Sequence, residues 1–317
     1  MLHQSTAFLL SATLSLWFCT YLPAFSADDE TSESEVTAET NAAPPPKLPH
    51  FDIVKIPSSN LTICGILWKP PGDGPFPAVV YNHGSEAKVG NIGYGLIGKF
   101  YAKNGFVCLV PIRRGHSYSA NKQVVCTSDG VLFNDRVAQA AGENPPPAKK
   151  SKIWLHEQDV DNEDVAAGVE WLKQQPFVDA KNMIMSGISF GGIQTCLASE
   201  KNLGIRAFVP FAPGAMSWLG VPELHDRLKE ALTKAKAPVF LIQAENDYNL
   251  GPSNYLGPVL DKKGPPNKHK IYPPFDVEKG HAGGHGGFAL RAENIWAGDV
   301  SDFLQDAVGK SIPKLTN

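Results

Sequence analysis

A chain of 317 residues, 43% apolar and 19% charged with 29 glycines, has the make-up of an ordinary globular protein of one large or two small domains. Its net charge of −3 argues against a nucleic-acid partner. The only short basic run, Lys149-Lys150-Ser151-Lys152, reads as a solvated loop.

The charge is unevenly spread. Residues 1–46 hold six acids and no Lys or Arg, which leaves a mild excess of three positive charges on the remainder. Residues 7–25 are apolar and uncharged and end at Ala24-Phe25-Ser26, so 1–26 reads as a secretory signal peptide cleaved after Ser26 or Ala27. The expected destination is secreted or periplasmic, with no stable membrane insertion after cleavage. Because Met1-Leu2-His3-Gln4 carries no positive charge, an uncleaved anchor is the alternative. Residues 27–48 are acidic and end in a Pro run, the composition of a disordered linker. An exported chain is permitted disulfides. Of Cys64, Cys108, Cys126 and Cys196, only Cys126 sits in a polar setting and is the first disulfide candidate, but spacing assigns it no partner. No C-x-x-C or other zinc-type spacing occurs.

The folded part is expected over 49–317. Residues 51–56 and 61–68 read as a strand pair, 77–81 as an apolar strand, 92–104 as a helix and 106–111 as another buried strand. From 117 to 154 the pattern weakens to Asn, Gln, Gly and Pro145-Pro146-Pro147, with one helical piece at 131–141. Such a stretch reads as an insertion or lid. A helix follows at 159–175, with Val165, Val169 and Leu172 on one face. Then come strands at 183–185, 206–211, 239–244 and 269–272, and helices at 193–203, 222–235, 255–262 and 292–308. Continuous apolar strands alternating with helices imply an α/β fold, a mostly parallel sheet covered on both faces.

Gly187-Ile188-Ser189-Phe190-Gly191 lies between an apolar run and a helical segment. Strand, sharp turn with a central Ser, and helix form the setting of a nucleophile elbow. The glycines keep that turn free of clashes, and Ser189 stands at a helix start whose dipole favours negative charge. The plainer reading is a Gly/Ser turn, so the rest of the chain must supply the partners. A Ser nucleophile needs a base, and the base needs an orienting carboxylate. In a parallel sheet these sit on loops after strands. The strand at 239–244 runs into Glu245-Asn246-Asp247, and Asp247 is chosen over Glu245. Farther on, His281-Ala282-Gly283-Gly284-His285-Gly286-Gly287 is read as a glycine-dense loop, with His285 as base and His281 in reserve. A metal site on that pair would need a helix, which so many glycines disfavour. The oxyanion hole needs two N–H donors. Phe190 follows the nucleophile, and Asn82-His83-Gly84-Ser85 follows an earlier strand, so the donors are assigned to Phe190 and Ser85, or to Glu86 if the loop is shifted.

Over about 51–308 the chain resembles the α/β-hydrolase superfamily. Ser189, Asp247 and His285 occur in that fold's order. His83-Gly84 is similar to its oxyanion-loop dipeptide and Arg114-Gly115 to its Arg-Gly turn. Residues 164–192 resemble the helix-and-elbow unit of dienelactone-hydrolase-like and prolyl-oligopeptidase-like members, and Ile295-Trp296 the end of the former group. The dienelactone enzymes carry a Cys nucleophile where this chain has Ser189, so their substrate is not implied. The resemblance implies a serine hydrolase of small-molecule carboxylic esters, with no metal or organic cofactor. A peptidase of the same fold, or a binding protein without turnover, are the alternatives. Oligomeric state is not legible.

Overall fold

The structure, a computed structural model, describes residues 50–316. The expected signal peptide (1–26) and the whole expected linker (27–48) lie outside the described residues.

The main sheet contains eight strands among the described residues, in the spatial order β1-β2-β5-β3-β8-β9-β10-β11. They are β1 (Phe51–Ser58), β2 (Leu61–Trp68), β3 (Phe76–Asn82), β5 (Val107–Ile112), β8 (Val178–Ile188), β9 (Ala207–Phe211), β10 (Phe240–Ala244) and β11 (Lys268–Tyr272). β1 pairs antiparallel with β2, and β2 with β5; every pairing from β5 to β11 is parallel. A second sheet joins β4 (Lys88–Gly90), β6 (Ser117–Ala120) and β7 (Gln123–Thr127).

Side chains alternate across the main sheet, so each central strand feeds two cores. Val79, Tyr81 and Ile184 point to the face covered by α1 (Asn91–Lys103) and α9 (Glu293–Val308). Ala78, Val80, Met183 and Met185 point to the face covered by α3 (Pro147–Lys173), α4 (Phe190–Ser199), α5 (Glu223–Lys234) and α6 (Gly251–Lys263). Both faces are dry, which is why these strands read as unbroken apolar runs rather than alternating ones.

The region 117–154 is ordered: besides the helix expected at 131–141 it holds a hairpin and the start of a long helix, which periodicity missed. β6 and β7 form a hairpin whose turn residues Asn121 and Lys122 both have positive φ, 49° and 65°. That turn matches the twist of the strands, yet its Asn-Lys pair lacks the usual Gly. α2 (Phe133–Ala141) follows. α3 starts at Pro147, well before the expected 159, because Pro is suited to the first helical position. Its polar residues Glu157, Gln158, Asp161, Asn162 and Asp164 are buried, not solvated, which erased the amphipathic signal.

Candidate active site

Ser189 stands at the carboxyl end of β8 with φ 60° and ψ −115°, a strained backbone for a side-chain-bearing residue. Its N–H donates to Phe211 O at 3.0 Å, and its carbonyl accepts from Ile193 at 3.0 Å and Gly214 at 3.2 Å. The bend is thus held from β9 and from α4. The helix passes so near β3 that a Cβ on Gly191 would lie 2.0 Å from Asn82 O. Only glycine fits there.

Two strands along the same edge, β10 delivers Asp247, which is 4% exposed. One carboxylate oxygen, Oδ1, accepts from His285 Nδ1 at 2.7 Å and from the Tyr248 N–H at 2.6 Å. The other, Oδ2, accepts from Gln243 Nε2 at 3.0 Å. Asp247 is therefore an acceptor on both oxygens, and His285 carries its proton on Nδ1. That leaves His285 Nε2 as a lone pair, and this atom is buried with no hydrogen-bond partner among the described residues. His281 faces elsewhere: it is exposed and its Nδ1 lies 3.1 Å from Asn246 O. Glu245 is exposed.

The segment carrying both histidines is helical, not the expected loop: α7 (Gly280–Ala282), a π turn over Gly283–Gly287, then α8 (Phe288–Arg291). The glycines serve close approach, since a Cβ on Gly284 would meet Asn246 Oδ1 at 2.4 Å. The extra residue of a π turn re-aims a side chain, and here it is His285. No group of three or more His, Cys, Asp or Glu that could hold a metal occurs among the described residues.

Ser85 and Phe190 line one cavity of about 170 Å³, together with His116, Leu132, Phe133 and Asp135. Neither the Ser85 nor the Phe190 N–H donates to another group among the described residues. Gly84 N–H, by contrast, is taken by Tyr94 Oη at 2.9 Å. Phe190 is the first residue of α4, so its N–H is one of the unpaired donors of a helix start.

A model of the prolyl oligopeptidase family matches residues 150–220. The polyketide transferase grgF of a Penicillium species is 24% identical over 237 residues, 71% of this chain and 69% of that one. Among solved structures, a Pyrococcus furiosus esterase is similar with a TM-score of 0.56 and 16% identity, over 86% of this chain and 97% of that one. The Pyrococcus horikoshii acylaminoacyl peptidase is similar with a TM-score of 0.54 and 18% identity, over 82% of this chain but 42% of its own length. The chain has the α/β-hydrolase fold.

The site carries supporting residues that sequence reading passed over. Gln243 bridges Asp247, Asn249 O at 2.6 Å and Ser253 Oγ at 2.7 Å. A polar residue at the end of an all-apolar strand was its only signal. Arg113 is fully buried beneath the His83-Gly84 loop. It donates to His83 O at 2.9 Å and Gly84 O at 2.6 Å, faces Asp161 at 3.4 Å and lies 5.0 Å from the Phe190 ring. One cation thus holds the loop of one candidate donor and packs under the ring of the other.

His83 Nε2 accepts from the Arg113 N–H at 3.1 Å, so its proton sits on Nδ1, which donates to Gly84 O at 2.9 Å. Burial, then Arg113, holds His83 well below the ordinary imidazole range. His116 donates from Nδ1 to Glu86 O at 2.8 Å, and burial followed by Arg113 pushes it down to about 3. Both imidazoles are neutral structural groups packed around Arg113. On the next turn, Asp164 receives Arg114 N at 2.7 Å, Arg114 Nη2 at 2.8 Å and Ser58 Oγ at 2.6 Å, fixing Arg114-Gly115 to α3.

Proposed function

We propose that this hydrolase cleaves carboxylic esters through an acyl-enzyme intermediate. Ser189 Oγ attacks the ester carbonyl while His285 Nε2 takes its proton. Asp247 holds the ring in the required tautomer and stabilises the imidazolium that forms. The N–H groups of Phe190 and Ser85 receive the oxyanion. His285 passes the proton to the leaving alcohol, the oxyanion collapses, and water deprotonated by the same ring frees the acid.

The observation that carries this reading is the buried Asp247–His285 pair at 2.7 Å, whose outer nitrogen is unpartnered. A buried orphan acceptor costs free energy unless a partner arrives. It lies on the strand edge that also presents a Ser with φ 60° at a helix start. A serine-reactive fluorophosphonate should label the wild type and leave Ser189→Ala unlabelled; a mutant that still labels overturns the assignment.

A second reading is favoured by the match of 150–220 to the prolyl oligopeptidase family. The same groups would then open an amide, with His285 protonating a poorer leaving group. Comparing p-nitrophenyl esters with aminoacyl nitroanilides decides between them. Folded protein that turns over neither would instead indicate a binding protein.

A further inference from the structure

Cys64 and Cys126 stand outside everything assigned to catalysis. Cys64 is fully buried in the middle of β2. Cys126 lies in β7, half-buried, and packs against the core cluster that holds Cys64. The chain leaving β7 is stitched along β2. Ser128 Oγ accepts from the Cys64 N–H at 2.9 Å and donates to Ile112 O at 2.5 Å. Asp129 N–H donates to Thr62 O at 3.0 Å, and Thr62 N–H to Asp129 Oδ2 at 2.8 Å. Across this seam the two thiols lie near enough that each is the largest influence on the other's acidity. Lys55, opposite Cys64 in the β1–β2 register, brings Nζ to 3.6 Å from Cys64 Sγ. Cys126 and, against the raising effect of burial, the Lys55 cation lower the Cys64 thiol to about 6. Cys108 and Cys196 are fully buried, and burial alone pushes their thiols up.

We propose that Cys64 and Cys126 form a disulfide that staples the small sheet, through β7, to the main sheet at β2. The oxidant is a small-molecule or protein disulfide, the class that serves in exporting compartments. Cys126, the more exposed residue of the two, attacks one sulfur of that disulfide as its proton passes to the Cys64 thiolate; one thiolate leaves and a mixed disulfide remains. Cys64 then gives up its proton, attacks Cys126 Sγ and expels the second thiolate. The two cysteines lose two electrons and their protons, and one disulfide of the oxidant becomes two thiols. The link closes a loop of about sixty residues, long enough for an appreciable constraint on the unfolded chain. It also anchors β7, which pairs with β6 directly after the Arg113-Arg114-Gly115-His116 turn.

The test uses the full chain, purified under reductant, equilibrated with oxidised glutathione without denaturant, alkylated and digested. The expected product is a cross-linked peptide pair containing Cys64 and Cys126, two hydrogens lighter than the sum of its reduced members. The oxidised wild type should melt roughly 5–10 °C above the reduced form. Cys126→Ser should give neither the cross-link nor that shift. Recovery of both cysteines as free thiols, glutathione retained on Cys126, or a link from Cys126 to another cysteine would overturn the proposal. So would a redox-dependent melting shift of the same size in Cys126→Ser.

Discussion

Asp247 accepts three hydrogen bonds, from His285, Tyr248 and Gln243, at 2.6 to 3.0 Å. An amide at this position presents one acceptor oxygen and an NH2, so it either loses a bond or forces the His285 proton onto Nε2. With that tautomer the ring has no lone pair for Ser189. Asp247→Asn should therefore lower kcat by roughly 1,000- to 10,000-fold with little change in KM. Ester hydrolysis measured beside a thermal melt checks this, since the loss should come without unfolding; a variant that keeps a tenth of its activity refutes the role. Ser189 and Asp247 stand out as candidates in the sequence because each follows closely on an apolar run that reads as a strand. Choosing His285 over His281 from the chain alone was harder, because both lie in the same glycine-dense segment.

The π turn is the element on which the histidine depends. Its Gly284 lies against Asn246, where an added Cβ would sit 2.4 Å from the side-chain oxygen and 2.7 Å from the backbone carbonyl carbon. Asn246 is itself tied down, donating to Phe275 O at 2.9 Å and accepting from Phe275 N at 3.0 Å. It cannot move aside without releasing the segment. Gly284→Ala should displace the turn from β10, lower Tm by several degrees, and reduce kcat by about 10-fold or more while KM changes little. Steady-state kinetics with calorimetry would show this; unchanged kinetics would mean the turn yields elsewhere. The same scale explains α3. Gln158 and Asn162 meet Gln194 of α4 through bonds of 2.8 Å, so a polar face packs a buried seam behind the elbow. A run of Gln, Asp and Asn looks solvated until the partner helix is in place.

Across the whole molecule, buried charge and buried neutral histidine gather around the His83-Gly84 loop. Arg113 and Asp161 have side chains fully removed from solvent, and Arg136 of α2 bonds both Asp161 and Glu157. His83 and His116 lie beside them at 0% and 3% exposure. Both are depressed by burial and Arg113, His116 to about 3. A depressed folded value means that stability is full above the unfolded value, near 6.5, and is lost as pH falls. Below that point the unfolded chain binds protons that the folded chain refuses. Each histidine should remove about 1.4 kcal/mol of stability per pH unit across the window from 6.5 towards 4.5. Denaturant unfolding of wild type and His116→Asn at pH 6.5 and 4.5 tests this. The variant should show a shallower slope by about one histidine's share; equal slopes would place the acid sensitivity elsewhere.

Hydrophobic runs and glycine spacing are local properties, so the α/β class, the main strands and the chain order of the candidates Ser189, Asp247 and His285 can be read without a structure. The sequence could not show that Arg113 lies buried beneath the His83-Gly84 loop, or that Gln158 of α3 packs on Gln194 of α4. Those depend on partners distant in the chain: 30 residues separate His83 from Arg113, and 36 separate Gln158 from Gln194. It also could not turn 280–287 into a helix, since glycine's poor propensity argues against one. There the packing against Asn246 outweighs propensity, and only the folded chain supplies it.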